Sequence, residues 1–350
     1  MITRRLTRAA SAAIAALAVL VVTAPPAAAH TISGIASTNY ESVLLGPTPS
    51  IPGISVRLRD LGRRVEVVNT TAVDLVISGY GLEPYLRVGP SGVYENTRSP
   101  TLYKNRVTTP GVAVVIPPQA TSVASPDWRR LSGDHVVRWR DQRTRHEGGT
   151  PVAVRDDPHH VHILATWSIL MEWGTTQVVA NGLIRWVPPP SPVPWLILSA
   201  LIGTAVVLAS ERSQPMKVLA FCIAVGVGID VAHSLVAVVA AADSFPQAAV
   251  KFLLGGFVSV IVWAAGGTAT VVLARGNPDG LFLAAFSALV LLVSGGLGDV
   301  AILARSQIPY AVSPVTGRLM VSLTIGLGAG VLMEAIRALR RQGRASARGG

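Results

Sequence analysis

The chain has 350 residues, half of them apolar and 14% charged, with 33 glycines, 24 prolines, one cysteine and a mean hydropathy of +0.49. That composition excludes a disordered chain and a disulfide-stapled scaffold. The formal charge of +11 is not a nucleic-acid footprint, because residues 30–190 carry sixteen basic and thirteen acidic side chains and the excess sits at the termini and between apolar runs, where it reports membrane topology.

Arg4, Arg5 and Arg8 precede an apolar run over 9–22, the breakers Pro25-Pro26 and three alanines at 27–29. This pattern predicts a secretory signal peptide over 1–29, with cleavage after Ala29 making His30 the first mature residue. Residues 30–187 then read as an extracytoplasmic all-β domain, an antiparallel sandwich. Ile54–Arg59 alternates apolar and polar, turns at Asp60-Leu61-Gly62 and continues into 64–68, a hairpin signature. Further strands are expected at 73–78, 84–88, 92–96, 111–116, 134–139, 161–171 and 176–187, with no helix, as two β modules meeting near Pro117-Pro118. Trp128, Trp139, Trp167, Trp173 and Trp186 are expected to fill the space between sheets.

A proline-rich spacer, 188–193, leads into five apolar stretches within 194–339: 194–210, 217–242, 251–274, 280–303 and 319–339. Each is near the length that crosses a bilayer, so a five-helix transmembrane bundle follows, with a basic tail over 340–350. With the β domain outside, Arg212, Lys217, Arg275, Arg337, Arg340, Arg341, Arg344 and Arg348 fall on the cytoplasmic side and only Lys251, Arg305 and Arg318 outside. The asymmetry predicts a multi-pass plasma-membrane protein in the lipid bilayer with a cytoplasmic C-terminus. Glycine-rich faces, including Gly326 and Gly330 at GxxxG spacing, predict a compact bundle or a homo-oligomer. Trp195 and Tyr310 suit the interfacial belt as anchors.

Six of seven histidines lie in the exported part, a skew that hints at a metal site. A terminal His30 offers its amine and a ring nitrogen, a chelate suited to Cu(II), with a further nitrogen from His135, His159, His160 or His162. On a strand, His160 and His162 would share a face. Solvated loop histidines are the plainer reading. Within the spans, Asp230 and His233 share a helix face on the second and Asp299 lies on the fourth. Ionisable groups in hydrocarbon mark an ion path, a proton relay or a polar packing contact. Asp141, between Arg140 and Arg143, reads as an exposed salt-bridged strand end, and Glu83 and Glu95 near Tyr80, Tyr85 and Tyr94 as a polar pocket without hydrolase chemistry. Glu334 is expected to pair with Arg337, and Cys222 to act as a small hydrophobe. No nucleophile, base and oxyanion arrangement is legible, so an enzyme is not expected.

The stretch Gly79-Tyr80-Gly81-Leu82-Glu83-Pro84-Tyr85-Leu86-Arg87-Val88-Gly89-Pro90-Ser91-Gly92-Val93-Tyr94-Glu95-Asn96, with Ser99-Pro100 and Tyr103-Lys104-Asn105, resembles a family of polytopic membrane proteins of high-GC Gram-positive (actinobacterial) bacteria that has no established activity. The resemblance implies an exported β domain on a polytopic anchor. Relatives often carry histidines flanking the aspartate of the tryptophan segment, where this chain has Arg140 and Gln142. The layout with His30 is also similar to copper-resistance proteins of the CopC and CopD kind, which implies copper handling outside the membrane. Two functions are therefore expected: metal (copper) capture at the cell envelope, or a non-catalytic envelope anchor whose β domain binds a protein or cell-wall partner.

Overall fold

The computed structural model describes residues 35–107, 112–212 and 214–348. The expected signal peptide and His30 lie outside the described residues. The chain divides after Pro188 into two compact units, a β unit over Thr38–Pro188 and a helical unit from Pro189 onward.

Among the described residues the β unit has ten antiparallel strands. A seven-stranded sheet takes β1 (Tyr40–Thr48), β4 (Leu75–Ser78), β5 (Pro84–Gly89), β6 (Gly92–Asn96), β7 (Trp128–Ser132), β9 (His162–Trp173) and β10 (Thr176–Trp186) in the order β1-β10-β9-β4-β5-β6-β7. β2 (Ile54–Arg59), β3 (Arg64–Asn69) and β8 (Val136–Arg140) form a second sheet in the order β2-β3-β8. Alternate residues of β10, Val178, Ala180, Ile184 and Trp186, point inward, as strand pleating requires. Val65, Val67 and Val137 of the small sheet and Leu75, Ile77, Ile169 and Met171 of the large one share a single apolar core, so the two sheets form a sandwich. Gly182 stands opposite Trp167 in the ladder, and a Cβ there would collide with the indole.

The expected hairpin forms, but its turn is unusual. Asp60, Leu61 and Gly62 are all left-handed, with φ of 55°, 56° and 84°. The two non-glycine residues cost about 1–3 kcal/mol each in backbone strain. The turn is held by the Arg64–Asp60 ion pair and by Thr144 Oγ1, which donates to Gly62 O at 2.6 Å.

Several expectations are corrected. The chain does not form two modules meeting near Pro117-Pro118: β8 joins β2 and β3, and β9 and β10 lie between β1 and β4. Residues 112–116 form no strand, because Pro117-Pro118 follows without backbone donors and Val112 and Val115 are exposed. β1 carries no strand signature in the sequence because Gly46 and Pro47 break its alternation, and the register slips there. Two short helices, α1 (Pro100–Arg106) and α2 (Val152–Asp156), occur where none was expected. Trp139, Trp167 and Trp186 are buried, whereas Trp128 and Trp173 are only half-buried.

The helical unit comprises α3 (Val193–Arg212), α4 (Pro215–Ala241), α5 (Phe245–Gly255), α6 (Phe257–Ala274), α7 (Gly280–Val290) and α8 (Pro314–Arg348). α7 continues as a π-helical turn, Leu291–Leu297, and a 3-10 turn, Val300–Ala304. Five segments are long and apolar enough to cross a membrane: Val193–Arg212, Pro215–Ala241, Phe257–Ala274, Gly280–Ala304 and Pro314–Ala345. The third starts at Phe257 and not at Lys251. Ser244 caps α5 by accepting from Gln247 N, and Lys251 Nζ donates to Ala241 O at 2.6 Å to close the end of α4. Gly326 and Gly330 pack against α3, where added Cβ atoms would lie 2.6 Å from Ser199 O and 2.8 Å from Gly203 O. This small-residue face is therefore filled within the chain. Arg337 pairs with Glu334 at 2.6 Å and reaches Glu211 at 3.7 Å, so the basic end of α8 shares an end of the bundle with the α3–α4 turn.

Candidate functional site

The intramembrane ionisable residues singled out from the sequence come together. Asp230, His233 and Asp299 are 7%, 6% and 8% exposed. Asp230 and His233 sit one turn apart on the inner face of α4, and Asp299 sits where the π-helical turn gives way to the 3-10 turn. His233 Nε2 lies 3.7 Å from Asp299 Oδ2. That distance is too long for a direct hydrogen bond.

The π-helical turn explains how the groups meet. Gly298 N donates to Val293 O at 2.9 Å, a bond spanning five residues, and the sequence Ser294-Gly295-Gly296 favours such a departure from α geometry. A Cβ on Gly295 would lie 2.8 Å from Asp230 Oδ1, and one on Gly296 2.7 Å from Ile325 Cγ1. Bare backbone at these two positions lets α7 close on both α4 and α8.

Two aromatic residues complete the cluster. Trp263 Nε1, from α6, donates to Asp230 Oδ2 at 2.7 Å. Tyr310, expected only to anchor at the interface, instead packs edge-on against His233 with ring centroids 4.7 Å apart, and its hydroxyl donates to the Asp299 carboxylate. The loop carrying it is tied to α4, since Ala311 N donates to Val236 O at 3.3 Å. Neither partner was readable beforehand: Trp263 lies in an unbroken apolar run and Tyr310 at a loop position that interfacial tyrosines commonly occupy. The spacing Asp230–His233 was the only signal.

Apolar layers enclose the cluster. One gathers Leu219, Ile223, Leu273, Leu281 and Val331, from the half of the bundle nearer the α3–α4 turn. The other gathers Ile302, Leu303, Ile308 and Val321 around Tyr310. Arg318 lies at that second end and donates to Ile302 O and Arg305 O at 3.3 and 2.7 Å, closing the 3-10 turn.

The β-unit histidines do not converge. His135 is exposed in the β7–β8 turn and His159 is exposed before β9. His160 lies in a turn and not on a strand, so it does not share a strand face with His162. Asp157 is nonetheless common to both: its carboxylate is 2.8 Å from His160 Nδ1, and its backbone oxygen is 2.6 Å from His162 Nε2. The hydrogen bond from His160 holds the Asp157 carboxyl below its usual range. Among the described residues, no three His, Cys, Asp or Glu side chains are grouped to hold a metal ion.

The other polar candidates are scaffolding. Asp141 is wholly buried rather than an exposed strand end, accepting from Trp139 Nε1 at 2.9 Å and from Arg143 Nε and Nη2 at 2.9 and 2.8 Å. Glu83 and Glu95 serve separate networks. Glu83 accepts from Gly81 N, Ser99 Oγ and Thr101 N; burial alone would raise its pKa, but these donors hold the carboxyl below its usual range. Glu95 is bound by Arg106 and Arg129. Tyr80 Oη, bonded to Asn105 and Gln142 N, and Tyr85, whose hydroxyl burial pushes up to about 12, belong to the same packing. No family model, curated protein or solved structure matches the chain.

Proposed function

We propose that the protein is a multi-pass plasma-membrane protein, with its β unit exported and its C-terminus cytoplasmic, whose bundle binds a proton or small cation at Asp230, His233 and Asp299. The observation that carries this reading is the approach of His233 to Asp299 at 3.7 Å, beside Asp230, between apolar layers. An isolated charge at mid-membrane costs about 2.5–3.5 kcal/mol or more on insertion scales. Two carboxylates with a neutral imidazole carry two negative charges. Neutrality needs two protons, or one proton and one monovalent cation, and uptake of the second positive charge is the proposed event. The role is binding, not catalysis.

Infrared spectra of the purified protein in lipid nanodiscs test this. A protonated-carboxyl band present at neutral pH, lost in Asp299→Asn or Asp230→Asn and erased by sodium or potassium at fixed pH, is the expected result for a cation site. Loss without cation sensitivity identifies the proton. Absence of any such band, together with indifference to cations over the pH range in which the protein stays folded, overturns the reading.

Copper capture on the envelope side is a second reading, favoured by Asp157. A carboxylate bound to His160 Nδ1 orients the ring and leaves Nε2 as a donor, to which a mature amino-terminal His30 would add its chelate. Loss of stoichiometric Cu(II) binding in both His160→Ala and His30→Ala is expected under this reading; unchanged binding in both retires it.

A further inference from the structure

The β unit contains a second, separate polar site. A cleft of about 320 Å³ has Tyr40, Ser42, Arg63, Arg140, Arg145, His146 and Glu147 in its lining, a volume at the lower end of small-ligand sites. The left-handed turn Asp60–Gly62 delivers Arg63 to one wall. Buried Asp141 fixes the loop after β8, and Asp141 N donates to Arg63 O at 3.3 Å. Arg140 ends β8 at the cleft and the loop after it adds Arg145 and His146, with the Tyr40 and His146 rings tilted against each other at a centroid distance of 4.3 Å.

The charges are poorly matched. Asp60 is engaged by Arg64 and Glu147 by Arg145, while no carboxylate lies within ion-pair distance of Arg63 or Arg140 among the described residues. Arg140 also stands directly opposite Arg64 in the ladder, an arrangement that destabilises a sheet. Burial, then the charges of Arg145 and Arg140, push the Arg63 guanidinium below its ordinary value, against partial relief from Asp60 and Glu147. Two atoms of residues lining the cleft, Ser42 Oγ and Arg145 Nε, are buried without a hydrogen-bond partner. Unpaired donors around surplus guanidinium charge are what a phosphate group satisfies, through forked and charge-assisted hydrogen bonds.

We propose that this cleft binds a phosphate group, as free phosphate or as the phosphate ester of a small molecule or polymer unit, with Arg63 and Arg140 as its principal ligands and Ser42 as a hydrogen-bond donor. The site is independent of the intramembrane cluster. The full chain in nanodiscs of zwitterionic lipid is titrated calorimetrically with inorganic phosphate and, separately, with glycerol phosphate. Saturable binding of one anion per chain is expected, weakened about tenfold or more by Arg63→Gln or Arg140→Gln and unchanged by Arg57→Gln, an exposed arginine that faces Glu66. Equal affinity for the two probes assigns the site to the free ion, and tighter glycerol phosphate binding assigns it to esters. Arg140 is exposed, so its variant retains the fold if Arg63→Gln does not. No saturable binding of either probe, or equal weakening by Arg57→Gln, overturns the proposal.

Discussion

Glu66 is a β-unit carboxylate whose ionisation is tied to stability. It sits buried on β3, opposite Arg57 on one neighbouring strand and Arg138 on the other. Arg138 Nε donates to it at 2.6 Å, and Arg59 donates through Nε and Nη2 at 3.2 and 3.1 Å. Burial alone would raise its pKa, but the arginine hydrogen bonds and charges outweigh that and hold it below the ordinary value of 4.5. A folded-state value below the unfolded one means the stabilisation is present above the unfolded pKa and is lost as pH falls through the folded value. Glu66→Gln should therefore cost about 1–2 kcal/mol at neutral pH, and the gap to the native chain should shrink as pH falls below about 4.5. Thermal unfolding of the two proteins at a series of pH values measures this. A gap that stays constant on acidification would show that the arginines do not sense the charge of Glu66.

Among the helix contacts, that of α3 with α8 is sensitive to the addition of a single methyl group. At Gly330 a Cβ would lie 2.8 Å from both Gly203 O and Val206 Cβ, backbone and branch-point atoms that cannot swing away. At Gly267 on α6 nothing lies within 4 Å. Gly330→Ala should destabilise the bundle by about 1–3 kcal/mol through overpacking, while Gly267→Ala should be neutral or slightly stabilising, since glycine is the poorer helix former. Melting curves in detergent compare them, and equal behaviour of the two would refute close packing at Gly330. The same elements show what was legible. Spans were readable because hydrocarbon thickness imposes length and composition, and β2, β3, β6 and β10 because they alternate or lie between turn residues. β1 and β7 were not readable: Gly46-Pro47 interrupts one, and Arg129 and Arg130 give the other the look of a loop. Asp230 and His233 could be paired from helical spacing, but their contacts with Trp263, Gly295, Asp299 and Tyr310 depend on how α4, α6 and α7 pack, for which local sequence holds no periodic signal.

For the whole molecule, an odd number of spans commits the two ends of the helical unit to opposite faces of a bilayer. α3 and α4 meet at Arg212 and Lys217, α6 and α7 at Arg275, and α8 ends in Arg337, Arg340, Arg341 and Arg344. The approach of Arg337 to Glu211 brings the first and last of these groups to the same end of the bundle. The positive-inside rule predicts that end to be cytoplasmic, and the β unit, which enters α3 from its other end, to be outside, as proposed above. Single cysteines read this directly once Cys222, the chain's own buried cysteine, is replaced by alanine. In intact cells a membrane-impermeant maleimide should label His135→Cys, in the exposed β7–β8 turn, and should label Asn277→Cys and Arg341→Cys only after permeabilisation. Labelling of Arg341→Cys in intact cells with protection of His135→Cys would invert the topology. The loop carrying Tyr310 would then face the cytoplasm, and the Asp230–His233–Asp299 cluster would take its proton or cation from inside the cell.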